Sequence, residues 1–108
     1  MIMVENAEGH INKGERSSAV AKLQEAVTLS PGFIEAHYQL GLALRQSVDS
    51  SAKAESAFRQ VLQLNPSHAL AHLQLGLLFS DKGDRAEAAV EFKNAARLAP
   101  GWLKPIAG

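Results

Sequence analysis

The chain has 108 residues, of which 46% are hydrophobic and 20% charged, and its eleven Lys and Arg residues balance eleven Asp and Glu residues. This composition fits one small globular domain and excludes disordered and low-complexity chains. The zero net charge argues against nucleic-acid binding and polybasic membrane binding, and the absence of Cys excludes disulfides and thiolate chemistry.

The hydropathy of the chain gives an expectation about its location. No apolar stretch approaches the roughly 20 residues that a membrane-spanning helix needs. The first residues also lack the basic and apolar segments of a secretory signal. We therefore expect a cytoplasmic protein with no membrane partner.

The sequence repeats itself with a period of 34 to 35 residues. A proline, an alanine and a large apolar residue recur at this spacing: Pro31, Pro66 and Pro100; Ala19, Ala54 and Ala88; Leu23, Phe58 and Phe92. A period of this length indicates stacked supersecondary units. The predicted units cover about residues 1–32, 33–67 and 68–101, followed by a tail over 102–108, within a single domain over 1–108.

Each unit is predicted to contain two helices, which makes six helices in the chain. In the first helix of the second unit, Tyr38, Leu42 and Arg45 follow a helical spacing. In the second helix of the last unit, Ala88 and Phe92 do the same. Each second helix is expected to end before the closing proline, because proline disfavours a helical residue ahead of it.

Turns are predicted between the two helices of each unit. Residues 13–15 (Lys-Gly-Glu) and 82–84 (Lys-Gly-Asp) each contain a glycine that can take a positive φ. The acidic residue that follows can lie at the start of the next helix. The middle unit has instead a longer turn without glycine over residues 47–51.

Small residues are predicted to bring the two helices of a unit close together. Gly41 and Gly76 leave room in the first helices, opposite alanines of the second helices. Phe58 and Phe92 are expected to fill the space beside this contact. Gly76→Val should therefore be severely destabilising, whereas Gly83 should be less sensitive.

The repeated pattern resembles the tetratricopeptide repeat. It consists of Leu-Gly at 40–41 and 75–76, Ala-x-x-x-Phe at 54–58 and 88–92, and a closing proline. The resemblance covers residues 1 to about 102 and is strongest in the third unit. The first unit departs from it, because Asn and Ala stand at positions 6 and 7 where Leu-Gly is usual.

This resemblance implies both a fold and a function. The fold is an all-α, right-handed α-solenoid of three helix-turn-helix repeats. Pro105 cannot lie inside a continuing helix, so no full C-terminal capping helix is expected. The implied function is a non-enzymatic protein–protein interaction module that holds a peptide segment of a partner in a concave groove lined by the first helices.

The candidate groove residues lie on the side of the first helices that the Leu-Gly pairs do not use. They form an apolar strip edged by amides: Tyr38, Gln39, Leu42, Arg45, Leu73, Gln74 and Leu77, with Val4, Glu8, Ile11 and Asn12 from the first unit. In this interpretation Tyr38→Ala weakens partner binding and leaves folding intact. In the alternative, Leu73 and Leu77 pack against the neighbouring first helix.

One subtype of the family is not expected. Members that grip the C-terminal carboxylate of chaperone tails use Lys, Arg and Asn on this face. The matching positions hold other residue types: Val4, Glu8, Gln39, Leu70 and Gln74. An apolar or uncharged peptide is therefore favoured.

No catalytic or metal-binding pattern is found. His68 and His72 have the i, i+4 spacing of two ligands, but no Cys or neighbouring acid completes a zinc site. His37 and His72 are instead predicted to be packing rings between helices. No serine has the Gly-x-Ser-x-Gly setting of a nucleophile and no phosphate-binding loop occurs. We therefore expect no enzyme activity, no cofactor and no metal.

A second hypothesis is a homo-oligomerisation or spacer module of a larger assembly. Three large apolar residues of the tail, Trp102, Leu103 and Ile106, should either fold back over the last helix or insert into a second copy. A homodimer formed at this end would let each copy cover the other. The alternative is a longer natural chain whose continuation covers this face.

Overall fold

The structure, a computed structural model, describes residues 13–99. These residues form five α-helices and no strand: α1 (Lys13–Leu29), α2 (Ile34–Leu44), α3 (Ser51–Leu64), α4 (Ala69–Asp81) and α5 (Arg85–Leu98), with a short 3-10 helix over Val48–Ser50. The predicted all-α repeat fold is confirmed. The sixth predicted helix falls within residues 1–12 and the predicted tail within residues 102–108, and both lie outside the described residues.

The helices pack in the order in which they follow one another along the chain. The most extensive contacts are between α4 and α5 and between α2 and α3, which are the helix pairs of repeats two and three. Helix α1 packs on α2, and α3 packs on α4, so that the repeats stack. The largest fully buried side chains are Phe58, Val61 and Leu75, from α3 and α4. The core therefore runs through the junction between repeats two and three.

The glycines of the first helices make room for aromatic rings. A Cβ built on Gly41 would lie 2.5 to 2.8 Å from three ring atoms of Phe58. A Cβ on Gly76 would lie 2.6 to 3.1 Å from the ring of Phe92. We expected the rings beside the close contact, but the ring itself covers each glycine. A side chain at either position would overlap the phenylalanine of its own repeat.

Two of the predicted turns have different outcomes. Gly83 has φ +83°, and the Asp84 carboxylate accepts a hydrogen bond of 3.3 Å from the Glu87 N–H, as residues 82–84 predict. The predicted turn over residues 13–15 is wrong, because these residues form the first turn of α1. A glycine costs only about 1 kcal/mol in a helix, so a single Gly14 does not end one.

Candidate functional site

The predicted groove residues of repeats two and three lie on α2 and α4, the first helices of these repeats. Helix α4 begins after His68, whose Nδ1 accepts a hydrogen bond of 3.1 Å from the Ala71 N–H. The corresponding residue before α2 is Phe33, which makes no side-chain cap. The two helices therefore begin with different local contacts.

Tyr38 lies between the repeats and not on an open face. Its side chain belongs to the core, with 8% of the residue exposed. Its ring centroid lies 5.8 Å from that of Phe58 and 5.1 Å from that of His68. Burial raises the pKa of the Tyr38 hydroxyl, although a hydrogen bond with Gln74 opposes this. This placement corrects the expectation that Tyr38 is an exposed anchoring residue.

Arg45 connects the C-terminal ends of α2 and α4. Its Nη2 lies 3.7 Å from Asp81 Oδ2, and 29% of its side chain is exposed. Arg45 is one of the predicted groove residues, and Asp81 offsets its positive charge. Within the described part of the chain, two buried polar atoms of this face have no hydrogen-bond partner: Arg45 Nε and Gln74 Oε1.

The other predicted groove residues are distributed along the same face. Leu42 is half-buried and packs against the core. Leu73 and Leu77 are also half-buried, but they do not belong to the core cluster of the described residues. Gln39 is exposed, and its Nε2 donates a hydrogen bond of 2.7 Å to Glu35. The residues predicted from the first unit lie outside the described residues: Val4, Glu8, Ile11 and Asn12.

His37 and His72 each contact a backbone carbonyl in the loop that precedes their own helix. His37 Nε2 lies 2.8 Å from the Pro31 carbonyl oxygen, and His72 Nε2 lies 3.1 Å from that of Pro66. His72 also pairs with an acid that the sequence analysis missed, because its Nδ1 lies 2.7 Å from Glu91 Oε1. Within residues 13–99, no group of three His, Asp or Glu side chains could hold a metal ion.

A signal for Glu91 was present in the sequence. It follows Ala88 by three residues and precedes Ala95 by four, so the helical pattern places it on the buried side of α5. All three residues are buried in the structure. A buried acid needs a partner, and the facing helix supplies His72.

In the described part of the chain, none of the five helices is both long enough and apolar enough to cross a bilayer.

Comparisons with known proteins place the chain in a family. The family model of the tetratricopeptide repeat matches residues 49–101. Two crystal structures of MamA align over 78% of the chain at 31% identity, with TM-scores of 0.74 and 0.73. The alignments cover 48% and 45% of the MamA chains, so this chain spans about half of their length. No curated protein matches the sequence. The chain therefore belongs to the tetratricopeptide repeat family.

Proposed function

We propose that the chain is a protein–protein interaction module that binds a peptide segment of a partner across α2 and α4. The observation that carries this proposal is that Leu73 and Leu77 are partly exposed outside the core cluster, on a face that also holds two polar atoms without a hydrogen-bond partner. Arg45 Nε is a hydrogen-bond donor and Gln74 Oε1 is an acceptor. Buried polar groups are nearly always paired in folded proteins. A peptide backbone supplies both complementary groups, a carbonyl for Arg45 and an N–H for Gln74.

The apolar and charged groups of the face favour one kind of peptide. Leu73 and Leu77 give α4 two half-buried leucines one helical turn apart. The ion pair with Asp81 offsets the positive charge of Arg45. This combination supports binding of an apolar or uncharged segment and not of a terminal carboxylate. Because both polar atoms are buried, the Arg45 and Gln74 side chains must turn before a peptide can pair with them.

A peptide selection tests this proposal. Short random peptides are displayed and selected on the purified chain, and the binders are synthesised and measured by fluorescence anisotropy. Leu77→Glu should weaken binding by at least about tenfold, or 1.4 kcal/mol, because it places a charge in the apolar strip. Val90→Glu is the matched control, since Val90 is 51% exposed on α5 and lies away from this face.

Two results would contradict the proposal. The first is a selection that yields no binders. The second is a set of binders that respond equally to Leu77→Glu and to Val90→Glu, because such binding would not depend on the α2 and α4 face.

A second candidate function is self-association through the C-terminal end. The supporting observation is that Phe92 is only half-buried, whereas the equivalent Phe58 is 0% exposed beneath repeat three. For Phe92 to be buried as fully as Phe58, another segment or a second copy of the chain must cover it. Trp102, Leu103 and Ile106 follow closely in the sequence and lie outside the described residues.

Sedimentation tests self-association. The wild-type chain should form dimers at micromolar concentration, and Trp102→Ala should shift it towards monomers. A wild-type chain that stays monomeric at every concentration would rule out this candidate and leave the peptide-binding function untouched.

A further inference from the structure

The two junctions between repeats are filled differently. At the junction of repeats two and three, two cations lie close to the ring of Phe79. The Arg59 guanidinium carbon is 5.8 Å and the Lys82 Nζ is 5.7 Å from the ring centroid. Both cations also bind the carboxylate of Glu55, at 2.9 Å and 3.0 Å. An acid, an aromatic ring and two cations thus occupy this junction.

The carboxylate is the centre of this arrangement. Burial opposes ionisation of Glu55, but hydrogen bonds from Lys82 and Arg59 and their positive charges outweigh it, so the pKa of Glu55 is lowered. The junction therefore stabilises a carboxylate next to an aromatic ring.

The preceding junction has smaller residues at the equivalent positions. The residues 35 positions before Glu55, Arg59, Phe79 and Lys82 are Val20, Gln24, Leu44 and Ser47. All four of these smaller residues line a cavity of about 380 Å³ between α1, α2 and the start of α3. The described residues leave open at this junction the space that an acid and a ring fill at the other.

The cavity has a positive lining. Its charged residues in the described chain are Arg16 from α1 and Lys53 from α3, and no Asp or Glu lines it. Neither cation forms an ion pair within residues 13–99. A second cavity of about 280 Å³ shares Gln24, Leu44 and Lys53 with it and also has no acid in its lining. The two cavities adjoin each other and together make up a groove in which no Asp or Glu of residues 13–99 takes part.

The groove is separate from the α2 and α4 face. None of the predicted groove residues of that face lines either cavity. Its volume lies within the range of about 300 to 1,000 Å³ that ligand pockets usually have. Apolar side chains and two cations border it. It therefore suits a ligand that has an apolar group and a negative charge.

We propose that this groove is a second docking site, for a partner segment with an acidic side chain next to a large apolar one. The acid lies between Arg16 and Lys53, where charge-assisted hydrogen bonds stabilise it. The apolar side chain packs on Val20 and Leu44. The partner segment thereby provides an acid and an apolar group at the junction of repeats one and two. At the junction of repeats two and three, Glu55 and Phe79 of the chain itself provide them.

The test uses a variant with a filled groove. Val20→Glu and Leu44→Phe together introduce the acid and the ring of the following junction. Short random peptides displayed on phage are depleted on this double variant and then selected on the wild-type chain. The recovered peptides should carry Asp or Glu beside Leu, Ile, Phe or Trp. If the double variant does not fold, depletion on Lys53→Glu replaces it.

Point variants then locate the binding. Lys53→Glu should weaken the recovered peptides by at least about tenfold, because it reverses one of the two charges. Changing the acid of the peptide to its amide should cause a similar loss. Lys93→Glu is the matched control on α5, and its effect should be less than about twofold. Leu77→Glu should also leave this binding unchanged, which separates it from binding at the α2 and α4 face.

Three results would overturn the proposal. One is that no peptide distinguishes the wild-type chain from the filled variant, which is also the result expected if the chain's own residues cover the groove. Another is that the recovered peptides have no acid. The third is that Lys53→Glu and Lys93→Glu change their affinity equally.

Discussion

Repeats two and three use the same contact between their helices but have different surroundings. In both repeats, a glycine of the first helix is covered by a phenylalanine ring of the second: Gly41 by Phe58, and Gly76 by Phe92. Phe58 is fully buried because repeat three covers it, whereas Phe92 keeps part of its surface. The same contact between glycine and phenylalanine is therefore more deeply buried where another repeat follows in the stack, as expected for a solenoid.

Repeat three has a polar contact between its two helices that repeat two lacks. His37 and His72 both contact a proline carbonyl, but the position that holds Glu91 in repeat three holds Ala57 in repeat two. The pair of His72 and Glu91 joins α4 to α5 within one repeat. Repeat three thus depends on polar contacts of its own, and repeat two depends on burial by its neighbours.

The largest expected effects come from the glycines under the rings. Gly41→Val should lower the free energy of unfolding by about 3 kcal/mol or more, because its side chain overlaps a ring that cannot move. Gly76→Val should cost about 1 kcal/mol less, since the half-buried Phe92 can turn outward. Urea unfolding measures both. Gly32→Ala is the control, because no atom lies within 4 Å of a Cβ at Gly32.

Gly83 provides a second reference for these glycines. Its positive φ makes Gly83→Ala cost about 1 kcal/mol, although no atom obstructs a side chain there. Equal losses at Gly76 and Gly83 would mean that the overlap with Phe92 is not what makes Gly76 necessary.

Tyr38 tests whether the junction of repeats two and three belongs to the core. Tyr38→Ala should cost about 3 kcal/mol, because it removes a buried ring that contacts Phe58 and His68. The exposed neighbour Gln39→Ala is the control and should change stability little. Thermal unfolding compares the two variants. Unchanged stability in Tyr38→Ala would return Tyr38 to the set of exposed ligand residues.

The sequence predicted the helix pairs and their glycines because these features depend on local spacing. The positions of Gly76 and Phe92 repeat with the period. The triplet around Gly83 suits a turn, but the similar triplet at 13–15 is helical, so the triplet alone does not decide between the two. Tyr38 was misplaced because helical spacing defines a face but not what covers it. Its cover comes from His68, thirty residues later and at the start of the next repeat.

The polar contacts between helices were harder to predict for a similar reason. Lys82 binds Glu55 across 27 residues, and Arg45 of repeat two pairs with Asp81 of repeat three. Many charged residues satisfy the spacing for such a pair, and the sequence does not distinguish among them. Glu91 is the exception, because its place among buried alanines required a partner.

The contact between His72 and Glu91 in repeat three should have an intermediate effect. Glu91→Ala should cost about 2 kcal/mol, because it leaves His72 without its charged partner in a largely buried site. A double-mutant cycle with His72→Ala measures the coupling between the two side chains. Additive losses would show that Glu91 and His72 do not stabilise the fold through each other.

The smallest expected effect distinguishes the starts of α3 and α5. Asp84→Ala should cost about 1 kcal/mol, because its carboxylate caps α5. Ser50→Ala is the matched variant and should have almost no effect, since Ser50 makes no side-chain hydrogen bond at the start of α3. Urea unfolding measures the stability of both variants. Equal losses in the free energy of unfolding would contradict the comparison.

Hydrogen exchange tests most directly the claim that repeat three is stabilised by its own polar contacts. Exchange is measured by mass spectrometry on the wild-type chain and on Glu91→Gln, which keeps the shape of the side chain and removes its charge. We expect protection of α4 and α5 to fall by about tenfold while α2 and α3 lose less. A uniform loss from α1 to α5, or no loss in α4 and α5, would contradict it.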